Sequence, residues 1–161
     1  MKFAVIMDGG ILEFREYTEP PESKHIDGKP VLRPVSEAAK PAFDSATQTL
    51  VSADTIHDDH VARAWTAQPL PFDQAGANLK ALIQAHLDAA ARERDYDNIR
   101  SAALRAAYPG PFHDEGLAYA TWMDACWAHA MSVMAAVMAG TRTVPTATEL
   151  VAELPALTLP T

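Results

Sequence analysis

Cysteine is nearly absent: Cys126 is the only one in 161 residues. An intrachain disulfide is therefore excluded, and a reducing compartment is the expectation. Set among apolar neighbours, Cys126 reads as a small hydrophobe. A basic excess is also missing. The formal charge of −8 argues against nucleic acid as the main partner, because phosphate binding needs a positive surface. The acidity is even, with 7 Lys/Arg against 11 Asp/Glu in residues 1–70 and 6 against 10 in 71–161, so neither half is a charged tail. The N-terminal apolar run, Phe3 to Met7, is too short for a signal-peptide core. The longest uncharged stretch, Ala125 to Thr141, falls short of a membrane span. A soluble globular protein is expected, since 48% apolar residues suffice for an ordinary core.

What is present changes character midway. Lys2–Met7 and Ile11–Tyr17 are strand-like runs around Asp8-Gly9-Gly10, which predicts a hairpin. Thr18 to Pro41 contains Pro20, Pro21, Pro30, Pro34 and Pro41 and reads as extended loop, with short edge pairing near Val31–Val35. Thr47–Ile56 and His60–Gln68 form a second predicted hairpin, fed by a turn at Asp44-Ser45-Ala46-Thr47. After Pro69-Leu70-Pro71 alanine dominates and helical spacing begins. Leu79, Leu82, Ile83, His86, Leu87 and Ala90 make one stripe, with Asp73 as N-cap. Asp97 should cap a shorter helix that Tyr108-Pro109-Gly110-Pro111 ends. A third helix runs from His113-Asp114-Glu115 to a C-terminal cap at Gly140. Thr146 and Glu149 form a capping box for a last short helix, followed by an extended tail. The predicted fold is α+β: a small antiparallel β-rich domain over 1–70, then a helical-bundle domain over 71–161.

The third helix is apolar on nearly every side, so it must sit among other helices or in a contact with another chain. Trp122 and Trp127 lie about 140° apart around it and cannot share a face. Asp124 between them needs a partner, for which Arg105 or Arg142 is the candidate. Chemistry is thinner. His57-Asp58-Asp59-His60 is the densest set of metal-ligating side chains, but two aspartates suit a hairpin turn for backbone reasons, and the segment reads as a surface turn. His113-Asp114-Glu115 reads as the acidic start of a helix, and His86 and His129 as boundary imidazoles. Asp8-Gly9-Gly10 lacks the spacing of a phosphate loop. No catalytic, cofactor-binding or metal-ligating residue is assigned, and the expectation is a non-enzyme without a cofactor.

Several stretches together resemble small phage and prophage proteins encoded with tail-fibre genes, the tail-fibre assembly or tail-associated proteins. They are Lys40-Pro41-Ala42-Phe43-Asp44 with Thr47-Gln48-Thr49-Leu50, then Val61-Ala62-Arg63-Ala64-Trp65-Thr66, and Ala85-His86-Leu87-Asp88 to Arg94-Asp95-Tyr96-Asp97. Further on come Gly116, Trp122, Asp124, Ala125 and Trp127, Ala139-Gly140-Thr141-Arg142, Pro145-Thr146, Glu149-Leu150 and Leu154-Pro155. The resemblance implies a protein that binds tail-fibre or other tail polypeptides and helps them fold, trimerise or attach. Its place would be the host cytoplasm during assembly, or the virion tail. Alternatives are a permanent component of the tail tip or baseplate, held as a homo-oligomer, and, further off, a small metal-dependent enzyme using the histidines. Trp65, Trp122, Trp127 and Met131 are the candidate packing or partner-contact anchors.

Overall fold

The computed structural model describes residues 1–20 and 31–160; Pro21 and Pro30 of the predicted loop lie outside them. The fold is α+β, with five strands preceding the helices. Two compact units are present, Met1–Phe43 with Thr49–Gln68, and Asp44–Gln48 with Pro69–Thr161.

In the first unit, β1 (Lys2–Met7) and β2 (Gly10–Glu16) are joined by a turn in which Asp8 and Gly9 both have positive φ, 51° and 78°. Two such residues in succession make the turn whose twist matches an antiparallel pair. The sheet continues with β3 (Val31–Glu37), β4 (Gln48–Ile56) and β5 (Val61–Pro69) in the order β2-β1-β3-β5-β4. It is mixed rather than antiparallel, because β3 runs parallel to β5. The predicted loop with edge pairing is also corrected: β3 is interior. Pro34 is tolerated because Val31–Pro34 pair with β1 while Val35–Glu37 pair with β5. The proline, which has no N–H to give, sits where the ladder passes from one neighbour to the other.

Phe3, Ala4, Val5 and Ile6 are all buried, as a strand covered on both faces requires. Ala4, Ile6 and Val61 form a cluster joined by Ile11, Phe14, Val31, Val35 and Ile56. A bulge between Val5 and Ile6 pairs Val5 with Glu13 but Ile6 with Ile11, leaving Leu12 unmatched and exposed. The simple alternation of β2 is broken there. Next to this cluster Arg63 donates Nε and a terminal nitrogen to the two carboxylate oxygens of Asp54, at 2.7 and 2.8 Å, and stacks 4.3 Å from the Phe14 ring centre. That hydrogen-bonded cation, more than offsetting burial, holds the Asp54 carboxyl below the usual aspartate range.

The second unit contains α1 (Phe72–Arg92), α2 (Ile99–Ala103), a 3-10 turn (Leu104–Ala107), α3 (His113–Met138) and α4 (Ala147–Glu153). Its core is built from Leu79, Ile83, Leu87, Ile99, Tyr119 and Trp122, with Cys126 and Leu150 also fully enclosed. Burial raises the Cys126 thiol pKa, consistent with an inert hydrophobe. Two helix starts differ from expectation. Pro71, not Asp73, precedes α1 and no side chain caps it; Asn98, not Asp97, caps α2 and exchanges hydrogen bonds with Ser101. The C-terminal cap of α3 is as expected: Gly140 has φ 69°, with Gly140 N–H bonded to Val137 C=O and Thr141 N–H to Ala136 C=O. The Thr146–Glu149 capping box is present as well.

Asp44 fastens the segment Asp44–Gln48 within this unit. Its carboxylate accepts from Ala46 N–H (3.0 Å), the Thr47 hydroxyl (3.0 Å) and, 103 residues away, Ala147 N–H (2.8 Å). Burial pushes the Asp44 carboxyl up, but these three donors outweigh it and hold it below its ordinary value. A depressed folded-state value means stabilisation that is complete above the ordinary aspartate range and lost as pH falls through the folded value. Asp44→Asn should therefore cost about 2 kcal/mol at pH 7. Its deficit against wild type should begin to shrink below about pH 4, where the unfolded chain's carboxyl takes up a proton, and should vanish once pH has fallen through the lower folded value. Urea unfolding of the helical unit, followed by Trp122 and Trp127 fluorescence in a Trp65→Phe background, measures both.

Candidate partner-binding groove

α3 carries two kinds of surface on one nearly uniform sequence. Trp122 is 6% exposed and its indole N–H donates to Pro155 C=O at 2.7 Å. Leu157 and Leu159 of the tail pack on the same core, so Trp122 is a packing anchor with its polar atom satisfied. Trp127, on the other side of the helix, is half-buried and begins a different stripe. Met131, Met134 and Met138 follow at helical spacing, all exposed, with Met131 at 64% and Met138 at 71%.

Trp127, Met131 and Met134 border a groove of about 90 Å³ between α1, α3 and the segment entering α4, and Met138 follows them outside its lining. Phe72, Ala75, Leu79 and Ile83 of α1 form one wall; Trp127, Met131, Met134 and Val137 form another; Val144, Pro145 and Leu150 close the end. Lys80 is the only charged side chain among the lining residues. The groove holds no imidazole or carboxylate that could carry acid–base chemistry. What it offers is apolar area beside unbranched, adaptable methionine side chains, the composition used where a surface must fit a partner helix or strand.

The other sequence-marked residues lie elsewhere. Trp65 on β5 is half-buried, donates its indole N–H to Glu37 at 2.8 Å and lies 4.6 Å from the Lys40 ammonium, so its polar edge is already engaged. His57 and His60 stack with ring centres 4.6 Å apart, His60 Nδ1 lies 2.7 Å from Asp59, and Arg33 bonds the His57 carbonyl. Among the described residues no three His, Cys, Asp or Glu side chains converge on a metal-sized space. His113 bonds the Tyr108 carbonyl at 3.3 Å, while Glu115 pairs with Arg94. His86 lies beside Trp122, and His129 reaches Glu153 at 3.3 Å.

The expected partner of Asp124 is corrected: Arg105 donates to Tyr108 and Arg142 makes a two-armed pair with Glu153. Asp124 is exposed, so water solvates it and no partner is required. The residues missed from sequence are those of α1, Phe72 and Lys80 above all, because the stripe reading selected the buried side of that helix.

Among the described residues no helix is long and apolar enough to cross a membrane. The chain matches no protein family, no curated protein and no solved structure with which it was compared.

Proposed function

We propose that the protein is a non-enzymatic assembly factor that binds phage tail-fibre or related tail polypeptides, acting in the host cytoplasm and holding an apolar segment of the partner until it is assembled. The observation that carries the binding part of this reading is the exposed Met131-Met134-Met138 stripe that follows half-buried Trp127 beside an apolar groove. Exposed apolar surface of this kind marks interaction sites on soluble proteins. A fibre that trimerises presents such segments before its own subunits meet, and an adaptable methionine surface suits a partner seen in more than one state. The tail-fibre identity of the partner rests on the sequence resemblance.

Co-expression with the adjoining tail-fibre polypeptide, followed by size-exclusion chromatography with mass determination, tests it. A stable complex is expected, and Met131→Glu with Met134→Glu should weaken it at least tenfold, since each places a carboxylate in desolvated apolar contact. Both substitutions lie on exposed positions and should leave the helical unit folded. A fibre that is soluble and trimeric alone, with no complex, would overturn the assembly reading. Presence at fixed stoichiometry in purified particles would favour a permanent tail component instead.

A further inference from the structure

The sheet has two edges, and they are built differently. β2 carries Glu13, Arg15 and Glu16 and the bulge at Leu12, devices that keep an edge from pairing with a foreign strand. β4 has none of them. Its nine residues include no proline, glycine, lysine or arginine, its one charge is the Asp54 carboxylate already held by Arg63, and nothing among the described residues pairs with its outer side.

The direction of its peptide groups follows from its neighbour. His57 N–H donates to His60 C=O at 2.9 Å, and Asp54 stands across from Arg63 in the same register. With the alternation of an antiparallel pair, the odd-numbered residues of β4 turn their N–H and C=O toward β5, and Leu50, Ser52 and Asp54 turn theirs outward. Gln48 already gives its N–H to Asp44 C=O at 2.7 Å, so the free run begins after it. That run is symmetric about Ser52.

We propose that β4 pairs with β4 of a second copy of this chain, antiparallel about a two-fold axis at Ser52, so that two sheets become one. In this register every outward peptide group meets one that is also outward: Leu50 faces Asp54 of the second copy, and Ser52 faces Ser52. On the opposite face Val51 meets Ala53 and Thr49 meets Thr55, β-branched and hydroxyl pairs that favour strand association. No two like charges stand opposite. A strand edge accepts only another strand, and β4, whose one charge is already paired with Arg63, complements itself in this register, which selects a second copy over a foreign segment. The charge of −8 on each copy lies mostly off this edge, so added salt should strengthen the pairing by screening long-range repulsion.

Sedimentation equilibrium of the full chain, from about 5 to 500 µM, decides it; an edge contact alone is smaller than a standard interface, so association should fall in this range. The mass is expected to rise toward twice 17.4 kDa with concentration, and to rise further at higher salt. Ser52→Pro removes an outward N–H without touching the β5 ladder, and Val51→Lys puts a charge on the exposed side of the edge; each should weaken dimerisation at least tenfold. If Ser52→Pro fails to fold, Val51→Lys carries the test. A monomer at every concentration overturns the proposal, as does a dimer unaffected by both substitutions. A dimer lost instead on Met131→Glu would also overturn it and place self-association on the groove.

Discussion

Replacing Gly116 with alanine is expected to destabilise the helical unit by about 2 kcal/mol, although alanine is the better helix former. Gly116 is on α3 where that helix crosses the 3-10 turn. An added Cβ would lie 2.5 Å from Ala106 N, 2.7 Å from Arg105 Cβ and 2.8 Å from Arg105 C. Two of those atoms are backbone, so no side chain can rotate away and the helix itself must move. The cost of that shift exceeds the helix-propensity gain, roughly 1 kcal/mol. Gly76 of α1 supplies the control. An added Cβ there meets nothing within 4 Å, so Gly76→Ala should stabilise by about 0.5–1 kcal/mol. Opposite signs for the same chemical change, read from urea unfolding of the two variants, would establish the close approach at Gly116. Equal signs would refute it.

Asp54→Ala is expected to cost the sheet unit about 2–3 kcal/mol. The substitution strands the Arg63 guanidinium, whose side chain is only 10% exposed, next to Phe14 and with the Lys2 ammonium 5.0 Å from the same ring. Asp54 is less enclosed than Arg63, which keeps the figure below that of a wholly buried pair. The double variant Asp54→Ala with Arg63→Met removes both charges and fills the same space beside Phe14. It should recover most of the loss, about 1 kcal/mol or more. Thermal unfolding by circular dichroism and amide exchange in β1 would separate the two cases. A double variant as unstable as the single one would mean that the guanidinium packs rather than pairs.

Much of the local structure was legible because a few residues have strong backbone preferences. Asp8-Gly9 announced its turn, Gly140 its cap, and Thr146 with Glu149 its capping box, and each is where the spacing put it. β3 was hidden by Pro34. A proline usually demotes a strand, and only the change of neighbour at that residue, a tertiary fact, makes it harmless. The parallel pairing of β3 with β5 was invisible for the same reason. The bulge beside Leu12 removed a periodicity that looked regular.

At the groove the limit was different. α3 is so evenly apolar that its sequence has no phase; that it needed partners was readable, but not which side the core takes. The structure assigns Trp122 inward and Trp127 with Met131 and Met134 to the groove. Gly116 left a signal that went unused, since a glycine inside a long helix has a cost that a close crossing explains.

The most direct test of polypeptide binding at the groove is methyl NMR of the chain labelled at its six methionines, titrated with the tail-fibre polypeptide proposed as its partner. Binding should shift or broaden the methyl signals of the groove residues Met131 and Met134 together while leaving Met1 and Met7 of the first unit unchanged. A complex that forms without moving the two groove methyls, or a titration that moves none of the six, would contradict binding at this site.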